Sequence, residues 1–191
     1  MSKSAIMVPA QAPAPAPAVV LSAPSSEVLD KIAQASDLIR QFPQVEVPTS
    51  HLLHGGMYAR TIHRGPGIVA VGSVILRATI LIVSGDCTLL DGSGHRLDLH
   101  GYNVLPGLPG RKSLSLTHGE VSMTMIYPTS ARTVEEAEEE IFGEAADLAS
   151  RRDGNPNLVT IIQPSCPPSP QPQPQPSSEG GLPCPAQSQP Q

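Results

Sequence analysis

Residues 51–60 of this 191-residue chain read His51-Leu-Leu-His-Gly-Gly-Met-Tyr-Ala-Arg60, and they open the segment that decides the fold. From His51 to Tyr127, short stretches of alternating apolar and polar residues follow one another, with glycine and proline turns between them. Alternation with a period of two is typical of strands that bury one face. Strands spaced this closely predict an antiparallel barrel or jelly roll.

The predicted strands begin with an edge strand, since Pro48 lacks the N–H that an interior strand must donate. The turn Asp91-Gly-Ser-Gly94 favours a hairpin, because its glycines accept positive φ. Two more strands flank the turn Thr117-His-Gly-Glu120. The full set of predicted strands is 45–50, 57–63, 68–74, 79–83, 87–90, 95–99, 114–116 and 121–127.

Two helices are predicted beside these strands. The first starts at Ser25 or Ser26, either of which can cap it, and Pro43 forces its end. The second starts with the capping box Thr133-Val-Glu-Glu136. We interpret the run of glutamates over 135–140 as a solvated face. The apolar face of this helix is formed by Val134, Ala137, Ile141, Ala145 and Leu148.

Proline is concentrated at the two ends of the chain, where it opposes a packed core because it cannot donate to a sheet. We expect a disordered Ala/Pro-rich arm over residues 1–24 and a disordered Pro/Gln-rich tail over 151–191. The segment 25–150 is then one compact domain with flanking helices, whose barrel spans about 45–128.

Composition excludes several classes of protein. A net charge of -5 and 3% aromatic residues give neither a basic surface nor stacking platforms for nucleic acid. Three cysteines, Cys87, Cys166 and Cys184, are too few for a disulfide framework. No apolar stretch reaches the length of a membrane span, so we expect no membrane partner.

The six histidines do not form a recognisable metal site, because no His-x-His pair is followed by a carboxylate. The chain also lacks a Gly-x-Ser-x-Gly elbow and a phosphate-binding loop of the Gly-x-x-x-x-Gly-Lys type. We therefore expect no catalytic residues, no metal and no cofactor.

An anion site is the better-supported chemistry. Alternation places Tyr58, Arg60, Ile62 and Arg64 on one face of a strand, where a tyrosine can stack on a planar group and an arginine can bind a carboxylate or phosphate. An exposed sheet face or a subunit interface is the alternative interpretation. The turn Leu105–Lys112 carries two cations and is either a second part of this site or a plain surface turn. The predicted ligand-binding residues are Tyr58, Arg60, His63, Arg77, Arg111 and Lys112.

A resemblance supports the barrel. The residues that carry it are the stretch 51–60, the turn Pro66-Gly67, Gly72 leading a strand, Pro106-Gly-x-Pro-Gly110 and the helix start at Thr133. With these motifs, residues 51 to about 142 resemble the cupin-fold, jelly-roll proteins of tailed phages and prophages. In that family a Gly-x-x-His strand with a following Glu-His pair supplies metal ligands.

Here the aligned positions read Gly72-Ser-Val-Ile75-Leu-Arg-Ala78-Thr79, and Pro109-Gly-Arg-Lys-Ser113 lacks the histidine of the second motif. What the resemblance implies is thus the fold without the usual metal ligands.

The leading interpretation is a mainly β, metal-free, cupin-like barrel with two flanking helices. Its expected function is that of a non-enzymatic phage or prophage accessory protein that binds a small anionic ligand, for example a host nucleotide signal sequestered in anti-defence. One alternative is a virion decoration or assembly protein. Another is a metal-independent isomerase or phosphodiesterase with His51, His54 or His118 as general base. Expected partners are a second copy in a homodimer or larger oligomer, the ligand, or virion proteins, in the host cytoplasm or the virion.

Overall fold

Two β-sheets form the centre of the protein, in a computed structural model that describes residues 19–90 and 92–162. A six-stranded sheet has the order β10-β1-β2-β9-β4-β7, and a four-stranded sheet has the order β3-β8-β5-β6. The strands are β1 (Thr49–His54), β2 (Met57–Arg64), β3 (Val69–Val71), β4 (Thr79–Ser84), β5 (Cys87–Leu90), β6 (Arg96–Leu99), β7 (Tyr102–Gly107), β8 (Leu114–Thr117), β9 (Val121–Pro128) and β10 (Asn157–Ile162). The predicted mainly β, jelly-roll class is confirmed.

Neighbouring strands are antiparallel except for β1 and β10, which run parallel. The predicted alternation of β2 is confirmed, since Tyr58, Arg60 and Arg64 are buried and Met57 and His63 are exposed. The strand β9 is paired with both β2 and β4 and buries every second side chain. These inward faces build the interior of the barrel.

The interior contains two apolar clusters. One lies under the second helix and includes Tyr58, Tyr127 and Met125. The other includes Val83, Cys87 and Met123. Leu81 packs against both clusters. Met125 belongs to the first cluster and Met123 to the second. Both methionines also line a cavity between the two sheets.

Both predicted helices are present. The first, α1 (Ser26–Ile39), is capped by Ser25, whose Oγ accepts a hydrogen bond from the backbone N–H of Val28 at 3.4 Å. The second, α2 (Val134–Ile141), has the predicted capping box between Thr133 and Glu136. The predicted apolar face extended to Ala145 and Leu148, but α2 ends at Ile141. The chain continues from there into two short 3-10 turns, Ala145–Asp147 and Ala149–Arg151.

The glutamate run of α2 is not wholly solvated, contrary to the prediction. Glu138 is 2% exposed and lies on the buried side of α2 beside Ala137 and Ile141. Glu139, its neighbour, has a side chain that is 67% exposed. A charge run on a helix places one residue in every three or four towards the core, and here that residue is ionisable.

The prediction of an edge strand over 45–50 is wrong. The first strand, β1, starts at Thr49 and lies inside the sheet between β10 and β2. Residues 45–48 approach the sheet without joining it: the carbonyl of Pro48 accepts a hydrogen bond from the backbone N–H of His63, and the backbone N–H of Val47 donates to Asn155 Oδ1. The predicted strand 68–74 is likewise reduced to Val69–Val71.

The predicted disordered ends contain ordered residues. Strand β10 lies within 151–191, and Leu21, within 1–24, is 4% exposed and pairs with Gly107. Sequence reasoning also missed β7, because Pro106 interrupts it. The remaining expectations for residues 1–18 and 163–191, including Cys166 and Cys184, lie outside the described residues. Within the described residues, no helix is long and apolar enough to cross a bilayer.

Candidate functional site

A cavity of about 600 Å³ opens between the two sheets. Its inner wall comes from inward-facing side chains of the sheets, and its rim comes from α1, the segment 44–47 and the 3-10 turns. The apolar part of the wall includes Ile62, Ile68, Ile75, Leu81, Leu89, Met123, Met125 and Phe142. The polar part of the inner wall includes Arg60, Arg64, Arg111 and Ser115, three cations and a hydroxyl, and the rim carries Glu144 and Asp147, which pair with Lys112 and Arg40.

Arg64, at the end of β2, is buried inside this cavity without an acidic partner. Its side chain donates through Nη1 to Ser115 Oγ at 2.8 Å and through Nη2 to Met123 Sδ at 2.7 Å. Its Nε has no hydrogen-bond partner. A thioether is a weak acceptor, so the guanidinium is poorly satisfied by the protein. Burial accordingly lowers the pKa of Arg64.

Arg111 enters the cavity from the turn after β7 and is 5% exposed. Its backbone is fixed by a hydrogen bond from the N–H of Ile75 to its carbonyl at 2.9 Å. The side chain donates through Nη2 to Met125 Sδ at 3.4 Å, while Nη1 has no hydrogen-bond partner. Burial lowers the pKa of Arg111 to about 10, with no carboxylate to offset it. The group remains a cation at neutral pH.

The position of the Arg111 side chain depends on Gly107. A Cβ at residue 107 would collide with Arg111 Nη1 and would lie 2.6 Å from its Cζ. We predict that Gly107→Ala leaves the fold intact, because the crowded atoms belong to a long side chain, but displaces the guanidinium. A crystal structure of the variant should show a new Arg111 rotamer. An unchanged Arg111 with a shifted β7 backbone would contradict this prediction.

Arg60, in the middle of β2, differs because its charge is compensated. Its Nε lies 3.4 Å from Glu138 Oε1, and its Nη2 donates to Ser150 Oγ at 3.2 Å. Glu138 also accepts a hydrogen bond from Arg151 Nε at 2.9 Å. The Arg60 guanidinium lies over the Phe142 ring, 5.4 Å from its centroid. Arg60 therefore ties α2 to the barrel and exposes one edge to the cavity.

The electrostatics of the cavity follow from these contacts. Glu138 offsets Arg60, and Glu144 at the rim offsets Lys112, whose Nζ lies 2.9 Å from Glu144 Oε2. Among the described residues no carboxylate lies within ion-pair distance of Arg64 or Arg111. The inner wall of the cavity consequently carries two uncompensated positive charges.

The predicted site residues fall into two groups. Arg60, Arg111 and Lys112 line the cavity. Tyr58, His63 and Arg77 do not: Tyr58 is fully buried with its ring edge-on to Tyr127, His63 is exposed and hydrogen-bonded to Ser122 Oγ, and Arg77 lies on the surface against Glu140. Tyr58 is therefore not part of the cavity wall in this structure.

Sequence reasoning missed Arg64, Ser115, Met123 and Met125 as cavity residues. The alternation of β2 does place Arg64 on the same face as Arg60, and that signal was sufficient to find it. The two methionines follow from the alternation of β9 in the same way. The position of Ser115 relative to Arg64 depends on the packing of one sheet on the other, for which the sequence carries no local signal.

His51 is part of a buried network beside this site. It is 3% exposed, its Nδ1 is 2.7 Å from Tyr58 Oη, and it lies 4.0 Å from Glu138 Oε1. Burial lowers the pKa of His51 despite the opposing effect of Glu138. His51 therefore binds a proton more readily in the unfolded chain than in the folded one. The free energy of unfolding is highest above about pH 6.5 and decreases as the pH falls below that value.

We predict that the free energy of unfolding decreases below pH 6.5 by up to about 1.4 kcal/mol per pH unit. Urea unfolding between pH 7.5 and 5 measures this slope. His51→Asn should flatten it, whereas His54→Asn, at an exposed position of β1, should leave it unchanged. Equal slopes in wild type and His51→Asn would contradict the assignment.

The metal chemistry of cupin barrels does not suit the cavity. Its inner wall offers guanidinium groups, thioethers and a hydroxyl, and two uncompensated cations repel a divalent ion. Ile75, aligned with a metal-ligand position, is buried as an apolar residue. Over residues 19–90 and 92–162, no three His, Cys, Asp or Glu side chains are placed to hold a metal.

No protein-family model matches the chain, and no curated protein matches it either. Solved structures that resemble it are cupin and double-stranded β-helix proteins. A Cupin 2 conserved barrel domain protein from Salinispora arenicola has a TM-score of 0.38 and 16% identity, covering 48% of this chain and 84% of that one. An uncharacterised protein with a double-stranded β-helix domain from Klebsiella pneumoniae has a TM-score of 0.39 and 18% identity, covering 49% and 84%.

Enzymes also occur among these structures. Salicylate 1,2-dioxygenase from Pseudoaminobacter salicylatoxidans has a TM-score of 0.39 and 8% identity, covering 52% of this chain and 31% of that one. The jelly-roll assignment itself rests on the strand order and pairing described above. Fold and cavity together define a jelly-roll protein with a cationic interior.

Proposed function

We propose that this protein binds a small anion inside its barrel. The observation that carries the proposal is the pair Arg64 and Arg111, each about 95% buried and without an acidic partner among the described residues. Burying an unpaired charge is costly, and so is leaving a buried N–H without an acceptor. An oxyanion supplies the missing negative charge and accepts hydrogen bonds from Arg64 Nε and Arg111 Nη1.

The size and lining of the cavity favour a compact ligand. A volume of about 600 Å³ is in the range of small-molecule sites. Phe142 is the one aromatic side chain among the described lining residues, and its face is already covered by Arg60. Recognition of a nucleotide commonly uses an aromatic platform for the base. A small organic anion therefore fits this cavity better than the host nucleotide considered from the sequence.

Binding is also favoured over catalysis by the positions of the histidines proposed as general bases. His51 is buried against Tyr58 outside the cavity lining, His54 is exposed on β1, and His118 lies in a surface turn beside Thr88. A guanidinium does not exchange protons near neutral pH, and the two carboxylates among the described lining residues, Glu144 and Asp147, are paired with Lys112 and Arg40. A phage or prophage role, a virion role and self-association stay predictions from the sequence.

Calorimetric titration of the full chain with phosphate, sulfate, acetate, hexanoate and glutarate at low ionic strength tests the proposal. We expect saturable binding of at least one of these anions. The double variant Arg64→Gln/Arg111→Gln should abolish it, because both donor groups are then neutral. Arg96→Gln is the matched control, since Arg96 is an exposed arginine of β6 paired with Asp98.

Two results would overturn the proposal. One is the absence of binding for every anion in the panel. The other is binding that survives the double variant, because the anion would then lie outside the arginine-lined cavity.

A further inference from the structure

The two unpartnered guanidinium groups are held at separate points along one strand. Arg64 contacts the thioether of Met123, and Arg111 contacts that of Met125. These methionines are two residues apart on the inward face of β9, a spacing of about 7 Å along a strand. The free donors thus form two anchoring points, and they do not share an acceptor within the protein.

Each anchoring point has its own surroundings. At the first, Ser115 Oγ accepts a hydrogen bond from Arg64 Nη1 at 2.8 Å and donates to the carbonyl of Ala70 at 3.4 Å, so it orients the guanidinium while Arg64 Nε is left as the free donor. At the second, the guanidinium of Arg111 lies against the backbone of Gly107, where a Cβ would collide with it. The two arginines also come from different elements, β2 and the turn that follows β7. Two separate anionic groups fit this arrangement.

The wall between the anchoring points is largely apolar. Met123 is paired across the sheet with Ile62 on one side and Val83 on the other, and Met125 is paired with Leu81 and with Arg60, whose charge Glu138 offsets. Leu81 and Leu89 line the cavity beside them. An aliphatic linker between two anionic groups would lie against these side chains with a gain of roughly 25 cal/mol for each Å² that is removed from water.

The charge of the inner wall also favours a ligand with two anionic groups. The inner wall has two positive charges that no described carboxylate offsets, so a dianion neutralises it and a monoanion leaves one guanidinium unpaired. Resting on the anion-binding function proposed above, we infer that the ligand is a short-chain aliphatic dicarboxylate, with one carboxylate bound by Arg64 and the other bound by Arg111.

Isothermal titration of the full-length protein with matched acids tests this inference. Glutarate, adipate and pimelate bracket the spacing, hexanoate is the monocarboxylate that matches adipate, and phosphate is the compact dianion. We expect adipate or a neighbouring homologue to bind about 10- to 100-fold more tightly than hexanoate, the effect of one additional charge-assisted hydrogen-bonded contact.

The single variants give the most specific readout. Arg64→Gln and Arg111→Gln should each reduce dicarboxylate affinity to the level of hexanoate, while hexanoate binding persists because one arginine remains. The double variant should lose both ligands. Arg96→Gln should bind all ligands as the wild type does.

Four outcomes contradict the inference and are distinguishable. Equal affinity for hexanoate and adipate, or phosphate binding more tightly than every dicarboxylate, would establish a single compact site and leave the proposed anion binding standing. Loss of both adipate and hexanoate in either single variant would also mean one shared site. Binding of none of these anions would overturn the inference together with the proposed function.

Discussion

Replacement of Glu138 by glutamine is expected to lower the free energy of unfolding by about 3–5 kcal/mol. Glu138 is 2% exposed, lies 3.4 Å from Arg60 Nε and accepts hydrogen bonds from Ser150 Oγ at 2.8 Å and Arg151 Nε at 2.9 Å. Glutamine keeps the shape of the side chain but removes the charge, so the buried Arg60 guanidinium loses its counter-ion. The contact between α2 and the barrel is weakened at its centre.

Urea denaturation measures this effect as a lower midpoint at constant m-value. Glu139→Gln is the matched control, because Glu139 is the next residue on α2 and its side chain is 67% exposed. We expect little change for the control. A Glu138→Gln variant as stable as Glu139→Gln would mean that the buried charge cluster does not hold α2 in place.

Arg111→Met is expected to have the opposite effect on stability. In the ligand-free protein it should raise the free energy of unfolding by about 1–4 kcal/mol, because a buried uncompensated cation is replaced by an apolar side chain of similar length. The direction follows from the pKa of Arg111, which burial lowers to about 10: folding disfavours the charged form at neutral pH. The variant should lose anion binding at this position, a trade of function for stability.

Equilibrium unfolding in a buffer without added oxyanions measures the gain, and a calorimetric titration of the same sample measures the loss of binding. Arg96→Met, on the exposed side of β6, should change neither quantity appreciably. If Arg111→Met destabilised the protein instead, Arg111 would be a structural residue held by contacts within the barrel, and the case for an anion site would lose one of its two anchoring points.

Much of the local structure is predictable because it is encoded by neighbouring residues. The alternation of β2, the hairpin between β5 and β6 and the capping box at Thr133 all depend on residues within a few positions of one another. Each of these features was correctly predicted. The face of β2 that carries Arg60 also carries Arg64. The same alternation therefore identifies Arg64, one of the two unpaired arginines of the cavity.

The features of the fold and the site that could not be predicted depend on contacts between segments that are distant in the sequence. Strand β10 pairs in parallel with β1, from Thr49 with Asn157 to His54 with Ile162, and its side chains are exposed, so it shows no buried-face pattern. The burial of Arg111 depends on the turn after β7 meeting Ile75, and that of Glu138 on two arginines from β2 and a 3-10 turn. A single sequence carries no local signal for such pairings.

The most direct measurement is the NMR spectrum of the arginine Nε–H groups during titration with glutarate. We expect the Arg64 Nε resonance to shift, because this buried group has no partner in the protein and donates to the bound anion. The Arg111 resonance should shift with it, and that of the exposed Arg96 should stay in place. If the resonances of Arg64 and Arg111 stayed unchanged at glutarate concentrations that shift surface arginines, the barrel would not be an anion site.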